Sequence, residues 1–392
     1  MGKQRTAEGD QVAELLRTAK RSLGLSVAFL SRFEGDKQHL DVVESSIPLL
    51  FREGVTQVRE TSLCQAILDR KLPAVIPDLT QYPAAMRLPA ARLPRIRSFV
   101  SAPVVLSDGT LYGTFCAAGM TADSDLTPRD AKLMDVLARA AAVVIEPGVR
   151  DAERRADIDG RLDAVVAAGG PDIALQPIVA LADGGRVGAE ALSRFPAAWQ
   201  RTPDVCFAEA HSVGRGVELE LIALERAAAQ LAVVPGYVSM NLSPAVLTDP
   251  AAAAVLGRMP LDRVVLELSE HVPVEDYDTL TKVLAPLRAG GLRLAIDDVG
   301  AGFSSLRHIV LTSPDMLKLD RSVITGVAGD PVLTTLIRSL VGFGHGCGAS
   351  VVAEGVETAA DAAALLDLGV DHGQGWHFGR PGPADQLAPL AD

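Results

Sequence analysis

The sequence predicts two folds in series, an α+β domain followed by an α/β barrel of the (β/α)8 kind. Three observations carry this expectation. The chain has 392 residues, more than one ordinary core organises, so two domains are expected. Its first part runs in the order helix, strands, short helix, hairpin, long helix. From Gly170 onward, short apolar runs alternate with helical patterns, and eight strand runs over roughly 220 residues suit a closed barrel better than an open sheet.

Composition narrows the function. Aromatic residues make up only 4%, so the cores must be built from Ala, Val and Leu. A formal net charge of −12 argues against a polymeric nucleic-acid partner, which needs a basic footprint. Cys64, Cys116, Cys206 and Cys347 are far apart and form no CxxC pair, so each reads as a small buried apolar residue. No signal peptide opens the chain and no apolar run approaches a membrane span, so a cytoplasmic protein without membrane insertion is expected.

Taken in order, residues 1–10 are polar and expected to fray. Residues 11–23 have helical spacing, with Val12, Leu15, Leu16 and Ala19 on one face. Strands are expected at 25–33, 40–43 and 74–77, and a helix at 61–69. Residues 98–106 and 111–118 flank Ser107-Asp108-Gly109, a strong hairpin signal. A helix over 128–146 starts with Thr127 as cap and Pro128 at its first position. Pro147-Gly148 is expected to break it, leaving 147–170 as a linker with a second helical stretch.

In the second domain the expected strands are 173–179, 188–194, 237–242, 264–268, 292–297, 316–320, 350–354 and 373–378. The turn Ala182-Asp183-Gly184-Gly185 joins the first two, so these should be antiparallel. Polar residues track the strand ends, where barrels place their chemistry: Glu190 and Arg194, Asn241, Glu267 and Glu270, Asp297 and Asp298, Lys318 and Asp320, Glu354 and Glu357, and Gln374. Oxygen donors without a histidine cluster favour Mg²⁺ or Mn²⁺ over zinc.

Two resemblances follow. Residues 99–105 (Phe-Val-Ser-Ala-Pro-Val-Val) with Tyr112-Gly113-Thr114-Phe115-Cys116 resemble the central hairpin of GAF domains. Ser62-Leu63-Cys64-Gln65 and Ala74-Val75-Ile76-Pro77-Asp78-Leu79 look like GAF segments too. This likeness covers 8–146. It implies a sheet with one pocket, an unknown small-molecule or redox signal, and a homodimer.

Gln176-Pro177-Ile178-Val179, Glu190-Ala191-Leu192-Ser193-Arg194, Asn241-Leu242-Ser243, Glu267-Leu268-Ser269-Glu270, Asp297-Asp298-Val299-Gly300, Lys318-Leu319-Asp320, Ala353-Glu354-Gly355-Val356-Glu357 and Gln374-Gly375-Trp376 through Pro381 resemble the motif set of EAL-domain cyclic di-GMP phosphodiesterases. The family implies a TIM-like barrel over 171–392 that hydrolyses cyclic di-GMP to linear pGpG with Mg²⁺ or Mn²⁺, two ions. By this resemblance Glu190, Asn241, Glu267, Asp297 and Asp298 are metal ligands, and Glu354, Lys318 and Asp320 serve catalysis. Gln176, Leu192, Arg194, Glu357, Gln374 and Pro381 line the dinucleotide, and Glu270 braces the loop after Asp298. The family's usual Asp-Asp-Phe-Gly-Thr-Gly-Tyr reads here Asp297-Asp298-Val299-Gly300-Ala301-Gly302-Phe303, which bears on regulation before catalysis. A catalytically silent cyclic di-GMP receptor is the alternative; such members usually lack ligands, and none is missing here.

Overall fold

The computed structural model describes residues 6–47, 51–89, 95–269, 276–300 and 305–387. The chain divides into two units, Met1–Arg154 and Arg155–Asp392.

The first unit is a six-stranded antiparallel sheet. Its strands are β1 (Val27–Glu34), β2 (Lys37–Ser45), β3 (Thr56–Val58), β4 (Val75–Ile76), β5 (Ser98–Val105) and β6 (Leu111–Gly119), in the spatial order β3-β2-β1-β6-β5-β4. Alternation along the strands gives the sheet two apolar faces. One packs Leu30, Val100, Ala102 and Phe115 against α1 (Ala7–Leu23) and α3 (Pro128–Ala167). The other packs Val27, Phe29, Phe99 and Cys116 against α2 (Leu63–Leu68) and the segments around it.

Two expectations are corrected here. The chain is not frayed through residue 10: α1 starts at Ala7, with the Thr6 side chain accepting from the Gly9 N–H and Val12, Ala13 and Leu16 buried below it. Pro147 does not break the long helix, which runs unbroken for 40 residues. Its flanking turns are anchored: Ile145 is buried, Val149 packs on the same core, and Arg150 pairs with Asp108 at 2.7 Å. These contacts offset the one hydrogen bond a helical proline forfeits.

The second unit is a closed eight-stranded barrel, ordered β10-β11-β12-β13-β14-β7-β8-β9. Its strands are β7 (Asp172–Ala180), β8 (Arg186–Arg194), β9 (Tyr237–Asn241), β10 (Val264–Ser269), β11 (Arg293–Val299), β12 (Met316–Leu319), β13 (Ser350–Ala353) and β14 (His372–Gln374). β8 to β14 all run one way. β7 alone opposes them, antiparallel to both β8 and β14, as the short Asp183-Gly184 turn requires. Branched and leucine side chains fill the layer between strands and helices, as in other barrels. Cys206 is buried, but Cys347 is exposed, contrary to expectation; it caps the helix Pro331–Gly346, where the chain turns outward at Gly348 (φ 81°). Among the described residues no helix is long and apolar enough to cross a membrane.

Candidate active site

At the C-terminal ends of the parallel strands, Lys318 of β12 is 2% exposed, so its ammonium must find counter-charges inside the protein. It finds four. Its Nζ lies 2.5 Å from Glu354 Oε1, 2.8 Å from Glu267 Oε1, 3.2 Å from Glu190 Oε2 and 3.4 Å from Asp297 Oδ1. Burial alone would lower the Lys318 amine, but Asp297, Glu190, Glu267 and Glu354 together hold it well above its ordinary value.

One ammonium does not balance four carboxylates. Burial, then the Glu190 charge, pushes Glu267 well above the usual carboxylate range. Its Oε1 accepts from the Ser239 hydroxyl, while its buried Oε2 has no hydrogen-bond partner. Burial also pushes Glu354 up to about 8, with Asp297 and Glu190 adding to it against Lys318. Burial would raise Glu190 as well, yet Lys318 and hydrogen bonds from Gln374 and Asn241 hold it below its ordinary value. Those bonds are Gln374 Nε2 to Glu190 Oε2 at 2.6 Å and Asn241 Nδ2 to Glu190 Oε1 at 3.1 Å.

The adjacent acids Asp297 and Asp298 are placed by a β-bulge. Ile296 pairs with Leu317 and Val299 with Leu319, so two residues of β11 stand opposite Lys318 alone. Asp298 takes a left-handed backbone, φ 60°. In a regular strand successive side chains point to opposite faces; a bulge re-aims them. Asp297, Asp298 and Glu354 accordingly offer carboxylate oxygens within 4.8 Å of one another.

A cleft of about 270 Å³ opens over these groups, lined by Gln176, Glu190, Leu192, Asp297, Glu354, Glu357 and Gln374. Gln176 Oε1 accepts from Gln374 Nε2 at 3.1 Å. Arg321 and Trp376 also line it; the sequence reading gives neither a role, although Trp376 falls within a quoted motif. Arg321 pairs with Glu357 at 2.8 Å. Trp376 is 53% exposed with the Arg380 guanidinium 4.2 Å from its ring; a tryptophan in a chain with only two, just past a strand run, is the signal the sequence offers. A second cavity, about 300 Å³ and mainly apolar, is walled by Leu192, Arg194, Phe207, Asn241, Leu242 and Glu267.

The remaining expected residues lie further out. Asp320 caps the helix Arg321–Ile324 by accepting from the Ser322 N–H, outside the groups that touch Lys318. Arg194 is exposed and bonds the Ser193 carbonyl. Pro381 is half-buried beside the Leu175–Gly382 bridge and lines neither cavity. Glu270 and residues 301–304 lie outside the described residues.

Comparison with known proteins matches the EAL domain to residues 161–381 and the GAF domain to residues 8–146. MucR of Pseudomonas aeruginosa, a bifunctional diguanylate cyclase/cyclic di-GMP phosphodiesterase, is 32% identical over 226 residues, 54% of this chain and 33% of its own length. The solved phosphodiesterase of PaMucR in complex with c-di-GMP is 30% identical with a TM-score of 0.50, covering 55% of this chain and 99% of that one. BlrP1 of Klebsiella pneumoniae, solved with calcium and cyclic-diGMP, is 30% identical with a TM-score of 0.50, covering 56% and 57%. The chain spans 32%, 27% and 33% of the length of three curated relatives and 75% of another.

Proposed function

The chain belongs to the EAL family, and on that footing we propose that its barrel hydrolyses one phosphodiester of cyclic di-GMP, giving linear pGpG. The observation that carries this is the excess of buried carboxylate over ammonium around Lys318. Buried anions need cations, and a donor set of carboxylates with the Asn241 amide suits Mg²⁺ or Mn²⁺. The unpartnered Oε2 of Glu267 fits the same group. Glu190, Asn241, Glu267, Asp297 and Asp298 would hold the cations, with Glu354 shared at their edge. When bound, such ions polarise a phosphate oxygen and lower the pKa of water.

The chain's own groups do the rest. Glu354, which touches Lys318 and lines the cleft, is suited to take a proton from the attacking water. Lys318 offsets charge that builds on the phosphate. Gln374 and Asn241 hold Glu190 in one orientation. Arg194 is exposed at the rim, where its guanidinium can grip a phosphate. The apolar cavity walled by Leu192 and Phe207 takes a base ring, and Trp376 and Arg321 meet the other end of the dinucleotide. In this reading the GAF unit tunes the barrel, and the protein acts in the cytoplasm as a homodimer.

The test is incubation of the full chain with cyclic di-GMP and Mg²⁺ or Mn²⁺, followed by nucleotide chromatography. pGpG should appear, and Glu190→Ala should lower turnover by more than the roughly 10–100-fold typical of losing a partner that only supports a metal ligand. Nucleotide that binds but stays uncut would instead make the protein a silent receptor. Turnover of Glu190→Ala near the parent rate would overturn the metal assignment.

A further inference from the structure

The sheet of the first unit carries a line of polar side chains that the barrel chemistry does not use. It crosses five strands on the face away from α1 and α3: Ser101 of β5, Cys116 and Thr114 of β6, Ser31 of β1, Gln38 of β2 and Gln57 of β3. All but Gln57 are 0–3% exposed. Hydrogen bonds join each to the next. Ser101 Oγ and Cys116 Sγ are 3.2 Å apart, and Cys116 Sγ donates to Thr114 Oγ1 at 3.3 Å. Thr114 Oγ1 and Ser31 Oγ are 2.8 Å apart. Gln38 Nε2 donates to Ser31 Oγ at 2.7 Å, and Gln57 Nε2 to Gln38 Oε1 at 3.0 Å.

Facing this line from α2 is Cys64, its Sγ 3.3 Å from Cys116 Sγ. The two residues are 52 apart in sequence, and both are free and buried. Around them the packing is apolar, with Phe29, Leu40 and Phe99 in the same cluster. A structural thiol in such a core needs only apolar neighbours. A second thiol and two hydroxyls around Cys116 go beyond that need. Hydrogen bonding with Cys116 holds the Cys64 thiol below its ordinary value, and burial pushes Cys116 well up. Cys64 is therefore the better nucleophile of the two.

The geometry points to Cys64 and Cys116 as a reversible dithiol–disulfide pair, oxidised by hydrogen peroxide, that ties α2 to the sheet. The Cys64 thiolate attacks one peroxide oxygen. The O–O bond breaks, Cys64 becomes a sulfenic acid, and the other oxygen leaves as water with the proton the thiol gave up. The Cys116 sulfur then attacks the Cys64 sulfur. The S–S bond forms, the S–O bond breaks, and the hydroxyl leaves as a second water with the Cys116 proton. The two thiols lose two electrons and two protons, and one peroxide becomes two waters. A thiol reductant reverses the bond by exchange.

The test uses the full chain with Cys347→Ser, which removes the exposed thiol. Peroxide treatment, alkylation and peptide mapping should give one Cys64–Cys116 linkage, two hydrogens lighter than the separate peptides. Thiols titrated in denaturant should fall from three to one, and dithiothreitol should restore them. In Cys116→Ser protein, dimedone should label Cys64. Three thiols persisting under peroxide that oxidises Cys347 in the parent chain would overturn the proposal, as would a linkage to Cys206. None of these readouts depends on nucleotide turnover, so their failure would leave the proposed barrel chemistry standing.

Discussion

Lys318 shows how one buried cation organises its neighbours, and why the balance is pH-sensitive. Glu354, at about 8, keeps a proton in the folded state that the unfolded chain gives up near its ordinary 4.5. Its contribution to stability is full below 4.5 and is lost as pH rises through about 8. Glu267 is shifted the same way, while Glu190 is shifted down and loses its contribution only at lower pH. In EDTA the urea midpoint should therefore fall between pH 5 and 9. Saturating Mg²⁺ should flatten that fall, because the cation takes the place of the proton. A midpoint that rises with pH in EDTA would contradict this charge balance. The carboxylates were legible as polar residues closing apolar runs. Asp320 lies two positions past Lys318, where the strand has ended at Leu319 and the residue caps a short helix. Arg321 and Trp376 lie in segments where no periodicity marks which way a side chain faces.

At the scale of elements, the bulge in β11 does what no regular strand does, since it turns neighbouring acids toward one point. It has a conformational cost. A non-glycine residue in the left-handed region is strained by about 1–2 kcal/mol, and Asp298 is held there at φ 60°. Asp298→Gly should be about 1 kcal/mol more stable than the parent in EDTA, by urea midpoint, and should lose part of its stabilisation by Mg²⁺. A less stable variant would argue against stored strain. The bulge could not be read from the sequence, because two consecutive acids look the same in a strand or a turn. The antiparallel β7–β8 hairpin could be read, since Asp183-Gly184-Gly185 leaves room for nothing longer. The sequence predicts a break at Pro147 because proline's local cost is visible there, whereas Ile145, Val149 and the Arg150–Asp108 pair that outweigh it are contacts made by folding.

At the scale of the molecule, the last turns of α3 belong to the barrel unit. Ile158, Leu162 and Val165 are 1–4% exposed and pack against Ala210 and Leu219, on helices that also wall the apolar cavity. Leu162→Ala should cost about 2–4 kcal/mol of barrel stability by urea denaturation; a loss under 1 kcal/mol would mean these turns are only loosely docked. The reversed first strand then has a topological consequence. Asp172 lies opposite Arg194 and Gln176 opposite Glu190, so β7 begins at the end where the other strands finish. In an all-parallel barrel the chain would arrive on the far side, with the whole depth of the core between arrival and reaction. Here the polypeptide enters by the end that carries the carboxylates, and only eight residues lie between Ala167, where α3 stops, and Gln176 of the cleft. The covalent path from α3 to the carboxylate cleft is therefore short.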